Sequence, residues 1–310
     1  MELSIIVPIL NEEKNINVLY DKIKENLKKV KYEIIFVNDG SIDNTDKIIE
    51  KIHKKDKNVK LISFSRNFGK DAAIYAGMKY SCGEYTAIID GDMQQDPKYL
   101  VKMLDFLEKN NDFDQVCMVP RVRKHTSFLK RVGGNLFYRL MNKISPIKII
   151  NGASDFRMFK PNIKDAVLSL NEIDRFSKGL FSWVGFNTEY LEYDVGARLY
   201  GKTKFNLKKS IIYAIDGIVS FSIKPLLIFL GLGIIFSIGG FIATIYLIVK
   251  SIIHGYIYSK FAFMIAILIF LFVINLIAIT ILGMYIAKIH VEVKKRPIYI
   301  IKNMIGLDSY

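Results

Sequence analysis

The sequence predicts an α/β fold: a mainly parallel sheet covered by helices on both faces, then an interfacial helix and a two-helix transmembrane hairpin. Three observations carry this. Short apolar runs alternate with helical patterns through the first third of the chain. Polar or charged residues stand at the ends of four of those runs. Two later stretches, residues 225–249 and 261–287, contain no charged residue. Strand–helix alternation of this kind indicates right-handed β-α-β units.

Residues 3–9 read as a buried strand, with Asn11 as the N-cap of a helix marked by Ile16, Leu19, Ile23 and Leu27. Residues 32–37 form a second strand ending at Asn38-Asp39-Gly40, followed by a helix carrying Ile48, Ile49 and Ile52. A third strand covers 59–64 and leads through Ser65-Arg66-Asn67-Phe68-Gly69-Lys70 into a helix with Ala72, Ala73, Ala76 and Gly77. The fourth, 85–89, runs into Asp90-Gly91-Asp92-Met93-Gln94-Gln95, with Asp96 as N-cap and Pro97 at the first helical position. Further on, 155–159 is a short strand, 171–185 holds a helix with the single tryptophan, Trp183, and 190–195 is another strand.

Functional groups of such sheets gather at the carboxyl ends of the strands. Pro8 to Glu12, Asp39, Ser65-Arg66 and Asp90 to Asp92 all fall there, so four strand ends face one crevice. Two carboxylates separated by one small residue suit Mg²⁺ or Mn²⁺ held against a diphosphate. By itself the pattern is also that of an ordinary solvated turn, and the coincidence of four ends is what favours the site. No glycine pattern of a dinucleotide site follows the first strand, and no phosphate-binding G-x-x-x-x-G-K-[ST] occurs.

The chain has 310 residues, 51% hydrophobic, with a formal charge of +14. Such a charge favours an anionic partner, whether nucleic acid, membrane surface or phosphorylated substrate. Cys82 and Cys117 form no C-x-x-C or Cys/His cluster, and the four histidines are scattered. Zinc, disulfide and histidine-based chemistry are therefore poor readings, and a reduced compartment fits. Met1-Glu2 offers no basic leader before the first strand.

From Arg121 to Arg139 the chain turns basic, with Arg121, Arg123, Lys130 and Arg131 among aromatic residues. This is either a solvated helix face or an amphipathic segment at a membrane surface. Residues 205–224 read as an interfacial helix, with Ile211, Ile212, Ile215, Ile218 and Val219 opposing Lys208 and Lys209. At ~1.5 Å per residue, 225–249 and 261–287 each exceed a hydrocarbon core roughly 30 Å thick. Lysines flank the outer ends of both spans, while the connector holds only Lys250 and Lys260. The positive-inside bias then places both chain ends and the α/β domain in the cytoplasm, at the inner (plasma) membrane. The expected division is 1–204, 205–224, 225–249, 261–287 and a tail over 288–310.

Val7-Pro8-Ile9-Leu10-Asn11-Glu12, Val37-Asn38-Asp39-Gly40-Ser41, Ser65-Arg66-Asn67-Phe68-Gly69-Lys70 and Asp90-Gly91-Asp92-Met93-Gln94 form one recognisable set. Lys130-Arg131, Phe137-Tyr138-Arg139-Leu140, Ser154-Asp155-Phe156-Arg157, Gly201-Lys202-Thr203-Lys204 and Glu292-Val293-Lys294-Lys295-Arg296-Pro297 extend it over the whole chain. The sequence resembles the membrane-bound polyprenyl-phosphate glycosyltransferases of glycosyltransferase family 2, which have the GT-A fold. Asn38 departs from the pattern, where many members carry a second acid.

The resemblance implies inverting, metal-dependent transfer of a hexose from a nucleotide sugar to a polyprenyl phosphate. UDP-glucose is its first choice of donor, with GDP-mannose or a UDP-amino sugar as alternatives. It implies a donor site of Pro8, Asn11, Glu12, Asp39, Arg66, Lys70, Asp90, Gly91, Arg198 and Lys204. Asp39 would read the base, Asp90 would lie near the ribose, and Asp92, with Asp90, would hold Mg²⁺ or Mn²⁺. Arg121, Arg123, Lys130 and Arg131 would grip the acceptor phosphate. Asp155 matches the position of a catalytic base. A phosphate monoester with a second pKa near ~6 is already nucleophilic, however, so an orienting role toward Arg157 or the acceptor competes, as does a structural cap beside Asn151-Gly152. Homo-oligomers, tetramers among them, are implied, and no nucleic acid.

Two rivals remain at this point. A processive polysaccharide synthase would carry Q-x-x-R-W, which is absent. A non-enzymatic membrane-anchored anion-binding protein would use the basic surface, against which stand the strand-end acids.

Overall fold

The computed structural model describes residues 1–121, 142–143, 150, 152–197, 199, 219–254 and 258–307. Within them an eight-stranded sheet has the order β7-β5-β6-β4-β1-β2-β3-β8. Its strands are β1 (Leu3–Ile9), β2 (Tyr32–Asn38), β3 (Val59–Phe64), β4 (Tyr85–Ile88), β5 (Gln115–Pro120), β6 (Arg157–Phe159), β7 (Thr188–Tyr193) and β8 (Ile301–Ile305). β1 pairs in parallel with β2 and β4, and β2 with β3. β6 runs antiparallel between β4 and β5, and β8 closes the far edge antiparallel to β3.

All seven residues of β1 are buried, as a strand covered on both faces requires. The two-residue pleat divides them: Leu3, Ile5, Val7 and Ile9 join one apolar cluster, Ile6 the other. On the first face pack α1 (Ile16–Asn26), α2 (Thr45–Lys55) and α4 (Lys98–Lys109), through residues such as Leu19, Ile49 and Leu104. On the second lie α3 (Lys70–Tyr80), α5 (Pro161–Ser169) and α6 (Ser177–Trp183). α3 approaches closely because it is built from Ala72, Ala73, Ala76 and Gly77; a Cβ on Gly77 would stand 2.3 Å from Ile6 Cγ2. Each fully buried isoleucine or leucine contributes about 1.5–3 kcal/mol.

Three local expectations are corrected. Asn11 is no N-cap: it has φ 54°, and α1 begins only at Ile16. Its backbone N–H donates to Ser41 Oγ (2.7 Å) and its Oδ1 accepts the Ile42 N–H (2.9 Å), so the loop after β2 claims it. Residues 171–185 do hold a helix with Trp183, α6, and Trp183 on it is exposed. Part of the segment set apart as a tail, 288–310, enters the sheet as β8, where Tyr299 stacks on Phe64 at 4.9 Å. Asp96 is displaced as N-cap: the helix starts at Lys98 with Pro97 as its N-cap, and Asp96, one residue earlier, accepts the Lys98 N–H at Oδ1 (3.0 Å).

α7 (Lys224–His254) and α8 (Tyr258–Val293) contain the two charge-free stretches and are long and apolar enough to cross a membrane. Phe236 meets Phe270 edge to face between them, while Leu230, Ile235, Phe241, Phe272 and Ile279 point outward. Of the expected interfacial helix 205–224, residues 205–218 lie outside the described residues, and Val219, at the start of the described part, is buried.

Candidate active site

Parallel register sets the strand ends side by side. Ile9 lies opposite Asn38 and Ile6 opposite Ile88. The chain leaves each strand still tied to β1, through Asp39 N–H to Ile9 O (2.9 Å) and Ile89 N–H to Ile6 O (3.0 Å). Beyond β1, the Glu12 N–H donates to Thr45 Oγ1 and the Glu12 carboxylate accepts Asn15 Nδ2 at 2.6 Å. Asn11 and Glu12 thus bind the first two loops to each other.

Asp39 is buried, and its carboxylate accepts the N–H of Phe68 (2.6 Å) and of Gly69 (3.0 and 3.1 Å). Burial lifts its pKa above the ordinary value, against those two bonds and the nearby Arg66. Gly40 follows with φ 76°, and a Cβ there would stand 2.5 Å from the Arg66 carbonyl carbon. Asp39 and Gly40 therefore shape the loop after β3. In that loop the Arg66 guanidinium lies 4.0 Å from the Phe68 ring centre.

The shaped loop delivers Lys70 to the first turn of α3. Its Nζ stands 2.6 Å from Asp90 Oδ1 and 2.8 Å from Asp155 Oδ2. Burial works against the ammonium, but Asp155 and then Asp90 outweigh it and hold the pKa well above the usual lysine range. Burial likewise pushes Asp155 upward, yet Lys70, then Lys178, hold it well below the usual carboxylate range. Of the two orienting roles expected of Asp155, toward Arg157 or the acceptor, the one toward Arg157 has no direct bond: Asp155 meets Lys70. Arg157 is buried, donates to Ser154 O at 3.0 Å and rests on the Phe181 ring. Among the described residues Asp155 takes its hydrogen bond from Lys70, 85 residues away, while Asn151 lies outside them.

The acidic loop is built tightly. Gln95 brackets Asp90, accepting its N–H at Oε1 (2.8 Å) and donating Nε2 to its Oδ2 (2.9 Å). A Cβ on Gly91 would lie 2.7 Å from Ile9 Cγ2, so the loop is pressed onto the end of β1. Met93 takes φ 63°, and Asp92 Oδ1 accepts the Gln94 N–H at 3.1 Å. The Gly196 N–H donates to Gln94 O (2.9 Å), which lays the segment leading to residue 198 on this loop.

Lys70 and Gln95 both hold Asp90, whereas the contact of Asp92 given above is within its own loop, to the Gln94 N–H. Among the described residues no group of three His, Cys, Asp or Glu side chains gathers as a metal cage. An oxygen donor set this small fits Mg²⁺ or Mn²⁺, which complete their shells with substrate phosphate and water.

Arg121 is exposed and pairs with Glu192 (3.1 Å) and Asp194 (3.4 Å), so it does not stand as a lone phosphate-gripping cation. Arg123, Lys130, Arg131, Arg198 and Lys204 lie outside the described residues. Sequence reasoning passed over Gln95, although it sits inside the acidic motif, and also Asp71 and Lys178. Only their neighbours in space reveal those two.

Residues 4–167 match glycosyl transferase family 2. The chain belongs to that family and is a glycosyltransferase of GT-A fold. Relatives match nearly end to end. A prophage bactoprenol glucosyl transferase homolog of Escherichia coli is 37% identical over 98% of this chain and 99% of its own. A prophage-derived bactoprenol glucosyl transferase of Shigella flexneri is 37% identical over 97% and 98%. An uncharacterized glycosyltransferase of Synechocystis sp. is 35% identical over 99% and 97%. A solved glucosyl-3-phosphoglycerate synthase of Mycobacterium tuberculosis superposes with TM-score 0.49 at 18% identity, over 70% of this chain and 78% of that one, a distant likeness.

Proposed function

We propose that this glycosyltransferase moves a hexose, glucose from UDP-glucose in first place, onto the phosphate of a polyprenyl phosphate with inversion at the anomeric carbon. The observation that carries the reading is the Lys70–Asp90–Asp155 cluster beside Asp92, in a chain that also bears two membrane-length helices. Near-full-length likeness to proteins named bactoprenol glucosyl transferases supports the lipid acceptor and the sugar. Lysines outside both spans support a cytoplasmic domain on the inner membrane face, and a homo-oligomer is part of the same reading.

Asp92, with Asp90 beside it, would hold the divalent cation. Such a cation neutralises charge growing on the departing nucleoside diphosphate. Lys70 fixes Asp90 and Asp155 at one point and holds Asp155 ionised. Asp155, an anion held below the ordinary carboxylate range, is a weak base. The acceptor phosphate, with a second pKa near ~6, needs little proton removal. Catalysis is then mainly positioning and charge stabilisation. The basic segment with Arg123, Lys130 and Arg131 supplies the acceptor's phosphate contacts, and Arg198 and Lys204 the donor's.

The test is lipid-dependent release of nucleoside diphosphate. Full-length protein in vesicles is given UDP-glucose, GDP-mannose and UDP-amino sugars in turn, with Mg²⁺ or Mn²⁺, with and without undecaprenyl phosphate. Release from UDP-glucose only when the lipid is present is the expected outcome. Release that ignores the lipid would overturn the acceptor assignment.

A further inference from the structure

One face of α8 is stapled to the α/β domain where the helix leaves its apolar stretch. Tyr285 Oη donates to Ser222 O (2.5 Å), Lys288 Nζ donates to Ser220 Oγ (3.0 Å) and pairs with Asp174, and Glu292 follows. The Glu292 carboxylate accepts the backbone N–H of Ile173 (2.9 and 3.2 Å) and of Asp174 (3.1 Å). Spacings of three and four residues align all three side chains along one stripe of the helix. The Glu292 bonds are charge-assisted and so belong to the stronger kind.

What Glu292 grips leads straight to the site. Residues 173 and 174 continue into Phe176, whose ring meets Phe221 at 5.9 Å, and into Ser177 at the start of α6. A Cβ on Gly179 would stand 2.4 Å from Phe221, so this junction is closely packed. The Ser177 N–H donates to Asp71 Oδ1 at 2.9 Å. Asp71 is the residue after Lys70, in the same helical turn. A cavity of about 230 Å³ separates the two ends of this chain of contacts, lined by Gly69, Asp71, Asp174, Phe176, Ser220 and Lys288.

We propose that Glu292 is a positioning residue for transfer. It fixes the 173–177 segment, whose Ser177 N–H holds Asp71, and so sets the place of Lys70 between Asp90 and Asp155. The seat of the apolar helix is thereby coupled to the geometry of the donor cleft. The kinetic part of this inference rests on the transferase reading; the mechanical part does not.

The experiment uses the full chain in vesicles and the isosteric variant Glu292→Gln, which removes the charge from the bonds at Oε1 and turns an amide donor toward the Ile173 N–H at the Oε2 position. Hydrogen exchange should quicken at the Ile173, Asp174 and Ser177 amides, and unchanged exchange at Ser177 would overturn the proposal. kcat should fall about tenfold with the donor KM nearly unchanged, the size of one coupled contact. The double variant Glu292→Gln, Asp71→Asn should lose no more than the worse single variant; simple multiplication of the two losses would overturn the coupling. Should Glu292→Gln fail to insert, Asp71→Asn alone reads the link from the other end. Its Ile173 and Asp174 amides should exchange faster, and the proposal falls if they do not. A wild-type protein that exchanges as described but transfers nothing would count against the transferase reading alone.

Discussion

Lys70 Nζ donates to Asp155 Oδ2 at 2.8 Å, across 85 residues of sequence, while standing 2.6 Å from Asp90. The loops after β3 and before β6 meet through this one ammonium at the end of β4. Replacing it leaves two carboxylates facing each other in the proposed donor site. Lys70→Met is expected to lower transfer by about 10²–10³, the range for loss of one preorganised electrostatic group. The measurement is lipid-dependent nucleotide release at saturating donor; a loss under about tenfold would reduce the pair to an ordinary surface contact.

The pH dependence follows from the same pair. Asp155 is depressed, so its stabilising contribution is present above the ordinary carboxylate range and is lost only as pH falls through the depressed value. Lys70 is raised, so its contribution is present below the ordinary lysine range and is lost only as pH rises through the raised value. Between about pH 5 and 9 neither group changes charge. An acid limb of kcat near the acceptor phosphate's second pKa, ~6, should persist in Asp155→Asn, with a rate loss below the ~10²–10⁴ of a missing general base. Disappearance of that limb in the variant would assign proton removal to Asp155.

Asp92→Ala is expected to abolish transfer while leaving membrane insertion intact. Chelation should stop the wild-type enzyme, and added Mn²⁺ or Mg²⁺ should restore it. The variant should stay inactive at every metal concentration tried. Recovery at high metal would move the principal ligand to Asp90.

Gly40→Ala combines a left-handed backbone with a Cβ 2.5 Å from the Arg66 carbonyl carbon. A destabilisation of about 3 kcal/mol is expected, from backbone strain and overpacking together. Thermal unfolding in detergent should show it as a lower Tm. Because the same contact shapes the Lys70 loop, residual folded protein should also be slow. Full activity per folded molecule would separate the two loops.

Much of this was legible in advance because the informative features are local. The first four strands are short, apolar and punctuated by turn residues, so β1 and β3 match the expected bounds and β2 and β4 differ by one residue. β5 went unread because Gln115-Val116-Cys117-Met118-Val119-Pro120 carries few strand-forming residues and no alternation. β8 escaped because an exposed edge strand of five residues, Ile301–Ile305, owes its pairing to a partner some 240 positions earlier. Asn11 misled because its side chain is a good cap in isolation, whereas Ser41 and Ile42, thirty residues on, set its geometry.

By itself the sequence determined the class of sheet, the four polar strand ends, the acidic pair and the two charge-free helices, since each depends on periodicity or spacing within one element. Tertiary structure alone decided what those residues do to one another. It joined Lys70 to Asp90 and Asp155, gave Asp39 to the loop after β3, turned Arg157 away to Phe181, and brought Glu292 against residues 173 and 174. The reason is physical: a buried or half-buried charge takes the partner that desolvation and geometry leave within hydrogen-bond reach, and that partner is fixed by the fold, not by nearness along the chain.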